Sequence, residues 1–186
     1  ASIFEMVEPL LIPMKGRMIH QKNGELDFQP YSMNADEYIN SVSRFELNKI
    51  LITAAEDTGK VNIHFSHALS SIQDNQLEFE NSHKVEIENE IIGADGSGSV
   101  IRKYIDSNCD LPSTAKPLGH AYKELNIAPG KNGDFQIDAN SLHIWPRGQF
   151  MLIGLPNTDR SFTCTLFMPN EGDVSFKSLK TEADVV

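Results

Sequence analysis

Ser141-Leu142-His143-Ile144-Trp145-Pro146-Arg147-Gly148-Gln149-Phe150-Met151-Leu152-Ile153-Gly154-Leu155 reads as strand, turn, strand. Met151, Ile153 and Leu155 alternate with their neighbours, and a period of two sets every second side chain of a pleated strand on one face. Pro146–Gly148 supplies the turn between them. Outward from this pair, Ser161–Met168 has the same texture behind the turn at Asn157–Asp159, and His120–Ile127 precedes the turn at Pro129-Gly130. Nearer the N-terminus, Lys15–His20 and Glu25–Tyr31 flank Lys22-Asn23-Gly24. Asn-Gly between two such runs is a hairpin signal, so two antiparallel strands are predicted there.

Helical texture is sparser. Ile3–Leu11 is apolar with interspersed acids and reads as the end of a helix. Ser43 stands three residues before Glu46, a capping-box spacing, and Leu47, Ile50, Leu51 and Ala54 then fall on one helical face. Thr58-Gly59 closes that helix with a C-terminal glycine. Val61, Ile63 and Phe65 alternate as a strand would, followed by strand-like Leu77–Phe79 and Val85–Ile87 around an Asn81-Ser82 turn. Glu90-Ile91-Ile92 leads as an apolar strand into Gly93-Ala94-Asp95-Gly96-Ser97-Gly98-Ser99, and Val100–Ile105 reads as a helical turn or two. The pattern is mixed α and β with strands in excess, and the polar stretch after Pro169 is expected to be loose.

The chain has 186 residues, enough for one large domain or one and a half small ones. Acidic residues outnumber basic ones, 26 to 16, for a net charge of −10 and a pI near 5.0. A nucleic-acid or anionic-membrane surface needs a dense cationic face, so neither partner is expected. No apolar run approaches the roughly 20 residues of a membrane helix, and the acidic start ASIFEMVEPL does not read as a secretory signal. Two cysteines, Cys109 and Cys164, make no disulfide framework and suit a reducing, cytoplasmic compartment.

The chemistry-bearing candidates each have a plainer alternative. His64-x-x-His67 lacks a third ligand nearby, so no metal site is expected. The glycine cluster exposes backbone N–H groups at a helix start, where an anion or ribose hydroxyl binds, or it is a plain tight turn. Arg17 lies mid-strand beside Met18 and Ile19. It either pairs with an acid of its own sheet or, buried beside the Tyr31 phenol, holds an anionic ligand by its planar fork. Arg44 opens the capped helix, where a cation opposes the macrodipole, which fits a ligand role or a solvated side chain. Met151, Ile153 and Leu155, with Leu142 and Phe167 from flanking strands, are either sheet core or the apolar wall of a pocket.

Three stretches carry a resemblance: Leu11–His20, Ser41–Asn48 and Ser141–Ile153. Together they resemble the kynurenine 3-monooxygenase family, and Gly93-Ala94-Asp95-Gly96 resembles the Asp-Gly motif of the wider aromatic-ring flavoprotein hydroxylases. The resemblance implies an α+β / α/β chain with part of the FAD-dependent aromatic hydroxylase fold: a β-sheet substrate domain plus an incomplete, Rossmann-like FAD-binding domain. Residues 11–40 and 107–170 would be substrate-domain strands, 41–106 part of the FAD-binding domain, and 171–186 a loose tail. It implies FAD as cofactor, with NADPH and O2 used to hydroxylate L-kynurenine to 3-hydroxykynurenine. Arg17 and Tyr31 would hold the substrate carboxylate, and Ile39, Leu142, Met151, Ile153, Leu155 and Phe167 would line the aromatic pocket. Arg44, Leu69, Asp95 and Gly96 would serve the cofactor. Gly-x-Gly-x-x-Gly occurs nowhere in the sequence, so the chain is expected to be an internal fragment, inactive alone, with exposed edges that invite self-association. The alternatives are a related flavin hydroxylase of another aromatic acid and a non-catalytic ligand-binding β-sheet module.

Overall fold

The computed structural model describes residues 2–34, 36–110 and 113–185. In chain order the elements are α1 (Ile3–Val7), β1 (Ile12–Met14), β2 (Gly16–His20), β3 (Leu26–Pro30), β4 (Ile39–Ser41), α2 (Arg44–Glu56), β5 (Leu69–Gln73), β6 (Gln76–Phe79), β7 (Lys84–Glu86), α3 (Val100–Asn108), β8 (His120–Ile127), β9 (Ser141–Arg147), β10 (Phe150–Pro156) and β11 (Phe162–Pro169). They fall into two units: Ala1–Thr58 with Pro117–Val186, and Gly59–Lys116.

The first unit is built on a six-stranded sheet of order β3-β2-β9-β10-β11-β8. All neighbours are antiparallel except β2 and β9. The Asn23-Gly24 hairpin forms as its sequence predicts: Gly24 takes φ +89° and Gln21 N–H donates to Glu25 O at 2.9 Å. Gly16 is required where β2 meets β3, because a Cβ there would sit 2.4 Å from Gln29 O and 2.7 Å from the Phe28 ring.

Directly paired residues share a face, so register sorts the side chains into two sets. One face carries Arg17 and Ile19 of β2, Leu142 and Ile144 of β9, Met151, Ile153 and Leu155 of β10, and Thr163, Thr165 and Phe167 of β11. The reverse face carries His143 and Trp145, then Leu152 and Gly154, then Phe162, Cys164, Leu166 and Met168. The dry core lies under the reverse face: Phe162, His143, Cys164 and Met168 are buried there. A short β1–β4 ladder stands beside the sheet, tied to it by the buried Ser41 hydroxyl, which donates to Pro156 O at 2.9 Å. Helix α2 forms with Ser43 as N-cap and packs against α1, yet buries no residue fully.

The second unit is a three-stranded antiparallel sheet, β5-β6-β7, with α3 against β5.

Three expectations are corrected, and three strands arise unannounced. Val61–Phe65 forms no strand; the chain there is irregular and turns at Ser66, φ +59°. Glu90–Ile92 is likewise irregular, so no strand leads into the glycine cluster. Strands β1, β4 and β5 arise where no alternation announced them, each held by its ladder partner. The stretch after Pro169 is pinned rather than loose: Asn170 N–H donates to Gly119 O at 2.9 Å, Phe176 N–H to Pro169 O at 3.0 Å, and Ser175 is fully buried.

Candidate functional site

At the β2 end of the open face, Tyr31 follows β3 and donates its N–H to Lys15 O at 3.0 Å. That placement brings its ring under Arg17, whose Cζ lies 5.2 Å from the ring centroid. The guanidinium is exposed rather than buried, and among the described residues it makes no ion pair. Gln29, not an acid, stands opposite it on β3. The Tyr31 hydroxyl is buried without a hydrogen-bond partner among the described residues. A hydroxyl so placed costs about 1–3 kcal/mol, which an acceptor reaching it would recover.

From this pair the apolar wall runs across the sheet. Met151 lies opposite Phe167, and Ile153 opposite both Ile144 and Thr165. Met151 and Phe167 each remain 37% exposed, although every neighbour in their row is large. Ile39 stands apart on β4, opposite Met14, in the two-stranded ladder and 45% exposed.

At the far end, a cleft of about 570 Å³ opens where α2 begins, lined by Arg44, Phe45, Asn48, Glu124, Leu155 and Thr165. Leu155 therefore belongs both to the wall and to the cleft of Arg44. The Arg44 guanidinium pairs with Glu124 at 3.0 Å, both side chains being largely exposed. Such a pair is worth at most about 1 kcal/mol, so Arg44 is readily released to a ligand. Sequence reading missed Glu124 and Thr165. The alternation within His120–Ile127 and Phe162–Pro169 contained them, but only the register puts them on this face.

The second unit holds Leu69, Asp95 and Gly96. Leu69 starts β5, half-buried, opposite Phe79. Asp95 closes the start of α3: one carboxylate oxygen accepts from the Ser99 hydroxyl at 2.6 Å, the other from Val100 N–H at 2.7 Å and Ile101 N–H at 3.3 Å. The Ser99 hydroxyl, joined by these N–H groups, holds the Asp95 carboxyl below its usual range. The first helical N–H groups are thus already taken. What the turn offers a ligand is the backbone at Gly96, which has φ +78° and open space where a Cβ would stand. His67 packs against the rings of Phe79 and His83, and among the described residues no three His, Cys, Asp or Glu side chains gather as a metal site.

Over 178 residues, 92% of this chain, the sequence is 47% identical to the kynurenine 3-monooxygenase of Myxococcus xanthus. It is 45% identical to that of Dictyostelium discoideum over 95% of the chain. Its sequence is similar to kynurenine 3-monooxygenases. The chain spans 38% and 39% of the length of these two relatives. No family model matches it. Among solved structures, Pseudomonas aeruginosa PqsL in complex with 2-aminobenzoylacetate aligns with a TM-score of 0.63 at 15% identity, over 90% of this chain and 47% of that one. Klebsiella pneumoniae HpxO complexed with FAD and uric acid aligns with a TM-score of 0.59 at 13% identity, over 89% and 42%. The chain shares part of the fold of these proteins, a mixed α and β architecture around a multi-stranded sheet. No helix among the described residues is long and apolar enough to cross a membrane.

Proposed function

We propose that these residues are an internal part of a cytoplasmic FAD-dependent monooxygenase that uses NADPH and O2 to convert L-kynurenine to 3-hydroxykynurenine. In this reading residues 11–40 and 107–170 belong to the substrate sheet and 41–106 to the FAD-binding part. The carrying observation is the Arg17–Tyr31 pair: a guanidinium without an ion pair, over a ring whose buried hydroxyl lacks a partner, both among the described residues, at the head of an apolar wall. A carboxylate satisfies both groups at once, and the aniline ring then lies along Leu142, Met151, Ile153, Leu155 and Phe167. Ile39 contributes from β4 if that ladder borders the bound ring.

The residues fit a flavin in part. Arg44 is exposed at the first turn of a helix and is held by one carboxylate, and Gly96 admits close approach of a ligand to the backbone. Those two, with Asp95 and the backbone near Leu69, would contact FAD, which supplies the oxygen-transfer chemistry when bound. The protein's own work is to orient the ring and exclude water, and a misplacement of about 1 Å can cost on the order of 100-fold in rate. The pyrophosphate needs a Gly-x-Gly-x-x-Gly cradle that this sequence does not contain.

In the longer enzyme that carries these residues, Arg17→Ala should raise KM for kynurenine far more than KM for NADPH. Equal rises would end the carboxylate role. The purified 186-residue chain should be colourless, and a flavin absorption band retained through gel filtration would show that the cradle is dispensable.

A further inference from the structure

The reverse face of the six-stranded sheet carries a second cavity of about 380 Å³, roofed by the segment after Pro169. Trp145, Phe150, Leu152 and Leu166 line it from the sheet and Leu179 from that segment. Trp145 is a fixed platform, stacked on the His20 ring at 4.1 Å between centroids. Two opposite charges also line the cavity, Arg147 and Asp184.

Each charge is anchored on one side only. Arg147 Nη1 donates to His20 O at 2.9 Å and to Pro146 O at 2.8 Å, which sets the plane of the fork; no other guanidinium nitrogen is engaged among the described residues. Asp184 Oδ2 accepts from Lys180 N–H at 2.9 Å, Thr181 N–H at 2.7 Å and the Thr181 hydroxyl at 3.0 Å, and Oδ1 accepts none of these. The two charges form no ion pair with each other. A cation and an anion, each oriented by its hydrogen bonds, and an apolar floor of small-molecule size are matched by a ligand with both charges and an apolar body.

We propose that this cavity binds a zwitterionic α-amino acid with a large apolar side chain, its carboxylate on Arg147, its ammonium on Asp184 and its side chain on Trp145 and Leu166. The site lies on the face opposite Arg17 and does not depend on the proposed activity.

Trp145 is the only tryptophan of the chain, so its emission reports this cavity directly. Titrating the 186-residue chain with L-phenylalanine should give a saturable change in that emission. 3-Phenylpropanoate, which lacks the ammonium, and phenethylamine, which lacks the carboxylate, should each bind about tenfold or more weaker, the loss of one charged hydrogen bond. Asp184→Asn and Arg147→Met should show the same loss toward L-phenylalanine, with far-ultraviolet circular dichroism checking that each variant is folded. Asp184 lies outside the strands, so its variant carries the test if Arg147→Met unfolds. Arg17→Ala should leave the titration unchanged. An absent or non-saturating response, 3-phenylpropanoate matching phenylalanine, or loss of binding in Arg17→Ala would each overturn the proposal.

Discussion

Removing the Tyr31 hydroxyl should move stability and ligand affinity in opposite directions. The oxygen is buried and unpartnered among the described residues. Phenylalanine at this position keeps the ring beneath the Arg17 guanidinium, 5.2 Å away, so the cation–π contact survives the change. What is lost is a hydroxyl that surrendered its water and gained nothing, a cost of about 1–3 kcal/mol. Tyr31→Phe should therefore stabilise the unliganded chain by about that amount, raising Tm by roughly 2–4 °C for each kcal/mol in a protein of this size. Urea unfolding followed by both circular dichroism and fluorescence measures it, and an unchanged m-value certifies that the native state is what moved. The same variant of the longer enzyme should show KM for kynurenine raised about tenfold or more, since a hydrogen bond to a charged group is worth about 1.5–3 kcal/mol. A variant that loses stability would mean the hydroxyl has a partner in the folded chain. A variant that gains stability with KM unchanged would mean the unpaired oxygen is not waiting for substrate.

Two further outcomes follow from the packing beside this site. Gly16→Ala forces a Cβ to within 2.4 Å of Gln29 O, and an overpacked backbone contact of this kind costs about 1–3 kcal/mol; urea unfolding should show the loss, and an unaffected midpoint would refute the tight β2–β3 approach. His143 sits 1% exposed with Nε2 at 2.7 Å from Asp138 O and Nδ1 at 2.8 Å from His20 Nε2. A carbonyl only accepts, so the His143 proton is on Nε2 and Nδ1 accepts from His20. Burial lowers the pKa of both rings, that of His20 further through the charges of His143 and Arg147. A base whose folded pKa is depressed stabilises fully above its unfolded pKa of about 6.5 and loses that stability as pH falls below it, at up to about 1.4 kcal/mol per pH unit for a group as buried as His143. Urea midpoints should fall between pH 6.5 and 5, before the carboxylates titrate, and His143→Gln should flatten that slope; an equal slope in the variant would place its origin elsewhere.

Much of the first unit is written in local sequence. Period-two runs announce β8 to β11, Asn23-Gly24 announces the β2–β3 hairpin, and Ser43 with Glu46 announces α2. The alternation of Met151, Ile153 and Leu155 also placed three wall residues on one face before any partner strand was known. What local pattern lacks is register. Nothing in the residues around Arg17 says that β2 runs parallel to β9 and lays Arg17 opposite Leu142. Strands of three residues such as Ile12–Met14 and Ile39–Ser41 are too short to show a period, and they exist because each supplies the other's ladder. The opposite failure occurs at Val61–Phe65: the alternation is present, but no strand among the described residues pairs with it, and an unpaired extended segment has no ladder hydrogen bonds to hold it. The burial of Ser175 is equally illegible, because it depends on turns that return the chain toward Pro169.

The order of the strands gives the open face a direction. Its cation stands on β2, its aliphatic and sulfur side chains on β9 and β10, and its hydroxyls and Glu124 on β11 and β8, where the cleft of Arg44 opens. Neighbouring strands lie about 4.8 Å apart, so β10 is roughly 10 Å from Arg17 across the sheet. A ligand anchored by its carboxylate at Arg17 must therefore lay its apolar body over Ile153 and Leu155 and present its far end toward Arg44. Reversal would place a carboxylate beside Glu124, a like-charge encounter next to a cation, Arg44, that Glu124 already holds. The same alternation that dries the reverse face leaves this one apolar yet open, and an exposed apolar surface bounded by charges is the signature of a surface meant to be covered. Under the proposed reading, the carboxylate end is fixed by residues of this chain, and the reacting ring is delivered to the end of the sheet where the flavin contacts begin.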